Sequence, residues 1–271
     1  MFTPGDRLWR TGNIHFGERI LFRKRGRRKM DEKLEYAEQW EVSSKYFYDK
    51  NYYNWMQTKI KDYNIILEVG CGTGYSTLSL LENGHKVIAL DKNSECIEKA
   101  KMLIQQSGYS VGNLSDADVL FIKADIAVEE FYSQLLSSLH FDAVICWNVG
   151  SYWNKDTIRY YLPYMLEYGL NVFQIQQNPE SSYSELILWN ACKIAAIRNV
   201  PVHIVDRAGE IINETNDEYY CTLRAEFAFS DLDFDNLQAD SVSGGGRMLV
   251  TNGSINREEI IETMLVSIFM K

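Results

Sequence analysis

"LEVGCGTGYS", Leu67 to Ser76, is the stretch on which the fold turns. An apolar run, "NIILEVG" at 64–70, leads into it and stops at glycine, which is the pattern of a short strand buried on both faces of a parallel sheet. Gly70, Gly72 and Gly74 then make a tight turn without β-carbons, so that backbone can close against a ligand. The spacing is G-x-G-x-G. A dinucleotide fingerprint needs glycine at the sixth position, where Tyr75 stands, and this disfavours a pyrophosphate-binding turn and NAD.

Downstream of the turn, strand and helix patterns alternate. A helix runs through Leu78 and Leu81 to Gly84, and "KVIALD" (86–91) is a second strand. Ser94 is expected to cap a helix carrying Ile97, Ala100 and Ile104 that stops at Gly108. "VLFIKAD" (119–125) reads as the third strand and "FDAVICWN" (141–148) as the fourth. Asp156 opens a helical pattern to Gly169, with Pro163 inside it as a kink. "NVFQIQQ" (171–177) reads as the fifth strand, followed by a helix from Ser182 to Arg198. Near the end, "MLVSIFMK" is apolar on both alternating faces, as a central strand requires, and a terminal helix from Asn256, with Glu259 completing a capping box, is expected to cover part of it. Repeated strand–helix units imply a parallel sheet with helices on both faces.

Upstream, Leu34, Ala37 and Trp40 share one helical face, with Asp31 as cap, and a second short helix carries Tyr53, Met56 and Ile60. Residues 1–29 hold nine Lys/Arg against two Asp/Glu, whereas the remaining 242 hold 19 against 35. An acidic body repels phosphate backbones, which makes nucleic acid a poor default partner. The segment "FRKRGRRKM" (22–30) has two readings: a basic arm for nucleic acid or anionic lipid, or a translated ribosome-binding sequence ahead of a start at Met30. On either reading residues 1–29 lack the apolar periodicity needed to dock. Five scattered cysteines with no C-x-x-C pair argue against a disulfide framework or zinc site and suit a reducing cytoplasm. No apolar run reaches the roughly 18 residues of a membrane span.

"E-V-G-C-G-T-G", with acids at the ends of the next two strands, resembles the first motifs of class I S-adenosylmethionine-dependent methyltransferases. The resemblance spans about residues 34–180 and is specific over the glycine turn. It implies an α/β fold: a single Rossmann-like domain over 64–271, built on a mostly parallel seven-stranded sheet with an antiparallel C-terminal strand, preceded by a helical lid at 30–63. It also implies S-adenosyl-L-methionine as cofactor, held by Glu68, Gly70, Cys71, Gly72, Gly74, Asp91, Lys92, Asp125, Ile126, Trp147 and Asn148. Asp91 falls where the family places an acid on the ribose hydroxyls, and two acceptor oxygens suit a vicinal diol. Asp125 falls where the family often has an acid bonding the adenine amino group.

The acceptor side is less marked. Methyltransferases acting on base amines or glutamine typically end the fourth strand in Asn/Asp-Pro-Pro-Tyr/Phe; here it ends Asn148-Val149-Gly150-Ser151-Tyr152, without either proline. Trp147, Tyr152 and Trp153 offer an aromatic rim, against which stands packing on the following helix. Tyr36 and Trp40 occupy the place of the family's lid, with core packing as the alternative. Tyr152, Glu180 and His203 are the side chains to weigh for a catalytic role, although Glu180 also suits the first turn of a helix and His203 a buried structural site. No His or Cys pair has metal-ligand spacing. The expectation is a cytoplasmic methyltransferase acting on a small molecule, with no membrane partner and no oligomeric state written in the sequence. The alternatives are RNA or protein methylation, with the basic arm as tether, and a non-catalytic cofactor-binding subunit.

Overall fold

Ile65–Val69 form β1, the third of seven strands across the main sheet. The computed structural model describes residues 32–128, 134, 136–149, 155–244 and 259–271, with 247–248, 250–251 and 254–255 between the last two spans. The basic segment, Met30 and the Asp31 cap therefore lie outside the described residues. The other strands are β2 (Lys86–Asp91), β3 (Val119–Lys123), β4 (Ala143–Trp147), β5 (Val202–Ala208), β6 (Leu232–Ser241) and β7 (Ile261–Met270). Their order is β3-β2-β1-β4-β5-β7-β6. The pairings among the first five are parallel, and β7 runs antiparallel to both β5 and β6. β7 thus sits inside the sheet, which is why its residues from Leu265 to Ile268 are buried on both faces.

Helices cover the two faces. α1 (Glu32–Asp49), α2 (Tyr52–Met56), α3 (Tyr75–Glu82) and α4 (Ser94–Gln106) enclose one core around Phe47, Met56, Leu80 and Ile104. On the other face, α5 (Lys155–Tyr168), α7 (Pro179–Arg198) and α8 (Glu218–Glu226) enclose Met165, Leu186 and Tyr220. Each large apolar side chain buried in this way contributes about 1.5–3 kcal/mol. No helix among the described residues is long and apolar enough to cross a membrane.

Three expectations are corrected. Residues 172–177 form a short helix, α6 (Val172–Gln177), not the fifth strand. Asn171 accepts a hydrogen bond from the Gln174 backbone, and Gln174 reaches back to the Asn171 N–H at 2.8 Å, a reciprocal cap that outweighs the apolar run. The strand position beside β4 is taken instead by Val202–Ala208. The cap of α4 is Asn93, whose side chain accepts from the Glu95 N–H, one residue before Ser94. At the end of the chain, Glu259 and Ile260 are neither helix nor strand and β7 follows directly, so no helix from Asn256 runs into it; residues 256–258 lie outside the described residues.

The strand order reverses between β1 and β4: the chain moves from β1 outward through β2 to β3, then returns to β4 on the other side. Ligands of open parallel sheets bind outside the carboxyl ends of the strands at such a reversal.

Candidate functional site

β1 ends in the glycine turn. Gly70, Gly72 and Gly74 take φ values of +78°, +54° and +90°, which residues with β-carbons seldom adopt. The turn is anchored from below, since the N–H groups of Gly70 and Cys71 both donate to the Leu90 carbonyl at the end of β2. Glu68 sits behind the turn, 3% exposed, and accepts hydrogen bonds from the hydroxyls of Ser76 and Thr77 at the start of α3. Burial raises its pKa to about 7, and those hydroxyls only partly offset the rise. Glu68, Cys71 and Gly74 thus build the turn from within; a β-carbon at Gly74 would fall 2.9 Å from the Ala100 Cα of α4.

Above the turn lies a cleft that is open to solvent at its mouth. Gly70, Gly72, Asp91, Lys92, Asp125 and Ile126 all line it, as do Tyr36 and Trp40 from α1. Asp91 accepts from the Gly72 N–H at 2.9 Å and from the Asn93 N–H at 2.7 Å. Burial lifts its pKa, and these two donors pull it back. Each carboxylate oxygen carries two lone pairs, so Asp91 retains acceptor capacity for a diol. Trp40 and Tyr36 stack 6.4 Å apart, and α1 is tied to the turn by Ser44 and Thr73, whose hydroxyls lie 2.9 Å apart.

At the other end of the cleft, Asp125 accepts from the hydroxyls of Tyr161 (α5) and Tyr183 (α7). Lys92 lies over the Tyr183 ring, its Nζ 3.7 Å from the centroid, buried and without a hydrogen-bond acceptor. Burial lowers its pKa to about 8, while Asp125 and Asp91 pull the other way. A cleft with glycine backbone at one end, carboxylates at two successive strand ends and a buried ammonium without an acceptor has the polar inventory that an adenosyl amino acid needs. Tyr161 and Tyr183 were not singled out in the sequence. Tyr183 and Ile187, both lining the cleft, are four apart on α7, a spacing that showed a buried face but not which strand end it meets.

Other expected residues go elsewhere. Trp147 does not line the cleft: it is buried among Tyr53 and His203, stacking on the first at 6.4 Å and donating its indole N–H to the Nδ1 of the second. His203 is therefore protonated on Nε2, which donates to Ser267, and burial lowers its pKa to about 3. Fully buried with both nitrogens engaged, it is a structural residue and not a base. Glu180 is exposed in the first turn of α7, outside the cleft. Tyr152 and Trp153 lie outside the described residues. Asn148 terminates β4 in a left-handed conformation (φ +48°) and is 8% exposed; its neighbour Val149 lines the cleft. Among the described residues, no group of three or more His, Cys, Asp or Glu is placed to hold a metal ion.

Residues 66–167 match the family described as "Methyltransferase domain". Protein arginine N-methyltransferase 1 of Saccharomyces cerevisiae is 38% identical over 79 residues, 27% of this chain and 22% of that protein. The chain thus spans about a fifth of the length of the curated relative it matches. Among solved structures, the N-methyltransferase NodS from Bradyrhizobium japonicum, in complex with S-adenosyl-L-homocysteine, is 12% identical with a TM-score of 0.46, covering 89% of this chain and 99% of that one. Magnesium protoporphyrin IX methyltransferase from Synechocystis, with bound S-adenosylmethionine, is 11% identical with a TM-score of 0.42, covering 91% and 87%.

Proposed function

We propose that the methyltransferase domain of this chain passes a methyl group from S-adenosylmethionine to a small-molecule acceptor, at nitrogen or oxygen in preference to carbon. The observation that carries this reading is the single cleft lined by the glycine turn, Asp91 and Asp125 at the ends of three successive strands. When bound, the cofactor supplies a sulfonium methyl: the acceptor lone pair forms the new bond to carbon, the S–CH3 pair goes to sulfur, and any acceptor proton leaves to water.

The chain's own residues then bind and orient. The backbone of Gly70 and Gly72 would hold the methionine part, Asp91 would accept from the ribose hydroxyls, and Asp125, Ile126 and Lys92 would hold the adenine end. Tyr36 and Trp40 on α1 wall the cleft and exclude water, the role expected of a lid. With the electrophile already activated, orientation and desolvation are the protein's main contribution. The acidic body supports a small acceptor over nucleic acid.

The test incubates purified protein with methyl-deuterated S-adenosylmethionine and cell extract, then examines the filtrate by mass spectrometry. A labelled metabolite is expected. Label confined to protein or RNA would overturn the small-molecule reading.

A further inference from the structure

Arg207, the penultimate residue of β5, is a cation whose partners among the described residues are all neutral. Its Nε donates to Asn148 Oδ1 at 3.3 Å, and its Nη1 donates to Ser241 Oγ (3.0 Å), Ser243 O (2.7 Å) and Ser243 Oγ (3.3 Å). The guanidinium lies over the Phe47 ring of α1, 4.7 Å from its centroid. No carboxylate among the described residues lies within ion-pair distance of it. The adjacent Asp206 is turned to the Arg207 backbone N–H and the Tyr220 hydroxyl. Burial lowers the guanidinium pKa to about 10, the mark of a charge removed from water without a counter-charge.

Two donors are left over. Among the described residues, Nη2 has no hydrogen-bond partner. Asn148 is 8% exposed, and its Nδ2 is buried without a partner. The orientation of that amide is fixed by chemistry: arginine only donates, so the atom facing Nε must be Oδ1, and the spare atom must be the NH2. A buried amide with no acceptor costs about 1–3 kcal/mol. A guanidinium whose described partners are all neutral stands beside an amide NH2 without an acceptor, and together they offer N–H groups of the kind that an anion takes.

Its place in the fold suggests the owner of that anion. Asn148 and Arg207 stand at the carboxyl ends of β4 and β5, across the reversal from the glycine turn. At about 4.8 Å between strands, β5 is roughly 10 Å from β1. Val149, next to Asn148, lines the cleft and faces the position of Gly70, where a β-carbon would meet it at 3.7 Å, so the Asn148–Arg207 pair stands beside the cleft at the next strand ends. We propose that Arg207 and Asn148 bind a carboxylate or phosphate group of the methyl acceptor, which makes the substrate an anionic small molecule. This rests on the small-molecule reading given above. Arg207 is then a specificity residue: it pairs with the anion in bidentate or mixed geometry and leaves the reacting atom on the cofactor side.

The test splits the metabolite pool on an anion exchanger at neutral pH and incubates each fraction with protein and methyl-deuterated S-adenosylmethionine. Label is expected in the retained fraction. With the labelled compound as substrate, Arg207→Gln should raise KM at least tenfold with kcat kept within a few fold, and Arg207→Lys should recover part of the loss. Asn148→Gly, which keeps the left-handed backbone, should raise KM by a smaller factor and guards against a folding failure of the arginine variant. Affinity for S-adenosylhomocysteine by calorimetry should stay within twofold in both arginine variants. Label in the unretained fraction alone would overturn the anionic acceptor and leave methyl transfer to a small molecule intact. A tenfold loss of S-adenosylhomocysteine binding in Arg207→Gln, without loss of 5′-methylthioadenosine binding, would assign the site to the cofactor's own carboxylate and overturn it. No labelled small molecule in either fraction overturns the small-molecule reading and this inference together.

Discussion

Trp40 closes on Gly72 so tightly that a β-carbon at Gly72 would fall 2.0 Å from the indole Nε1. The ring belongs to α1 and the glycine to the turn after β1, so a contact between distant segments sets the width of the cleft. Gly72 has no β-carbon for two reasons at once: its φ of +54° and the indole above it.

Gly72→Ala is therefore expected to displace Trp40 as well as strain the turn. Intrinsic tryptophan fluorescence should shift, and affinity for S-adenosylmethionine should fall at least tenfold by calorimetry. An alanine variant with unchanged emission and affinity would show that α1 does not seat on the turn.

Asp91→Ala removes the acceptor for the N–H groups of Gly72 and Asn93 as well as the acid assigned to the ribose. A loss of about 1.5–3 kcal/mol in cofactor binding is expected for hydrogen bonds to a charged group. Calorimetry that finds the affinity intact would remove Asp91 from the cofactor site.

Glu68 gives a pH signature of the turn. Its folded pKa of about 7 lies above the ordinary carboxylate value, so between the two the native state holds a proton that the unfolded chain does not. Stability contributed by this group is present at acid pH and lost as pH rises through about 7, by at most about 3 kcal/mol. Glu68→Gln cannot titrate. The melting temperature of the variant relative to the parent should climb between pH 5 and pH 8; a constant difference would place the carboxyl in a wetter setting.

Lys92 runs in the opposite sense. With a folded pKa of about 8 and an ordinary value of 10.5, the unfolded chain binds the extra proton between them, so stability rises with pH across that window. Lys92→Met keeps the stem and drops the charge. At pH 7 it should melt a few degrees higher than the parent, the shift that about 1 kcal/mol produces at this chain length. The gap should narrow by pH 9.5, whereas equal gaps at both values would mean that the ammonium is not desolvated.

The glycine turn was legible because its chemistry is local: three glycines and a buried apolar strand leave few alternatives within ten residues. β2 appeared with its observed bounds, and the first, third and fourth strands to within two residues at either end, since each is a short apolar run ending in a polar residue. Residues 171–177 misled because Val172, Phe173 and Ile175 imitate a strand, while the deciding interaction is a side-chain cap between Asn171 and Gln174. Trp147 could not be placed from sequence, because the two faces of a buried parallel strand are both apolar and only the sheet's neighbours distinguish them. The Tyr161–Asp125–Tyr183 cluster was hidden for another reason: it joins β3, α5 and α7 across a separation of 58 residues, and no local pattern encodes it.

The position of β7 governs the order in which the molecule can be assembled. β6 precedes β7 in the chain, and among the described residues its partner in the main sheet is β7, so Leu232–Ser241 joins that sheet only through residues 261–270, which lie between it and β5. Ser241 and Ser243, which hold the Arg207 guanidinium, are delivered by that late step. Every residue lining the cofactor cleft precedes β6 in the chain, whereas the side proposed for the acceptor is completed by Ser241 and Ser243. On the proposed assignment, a nascent chain therefore carries all of its donor-side residues before the last of its acceptor-side ones is made.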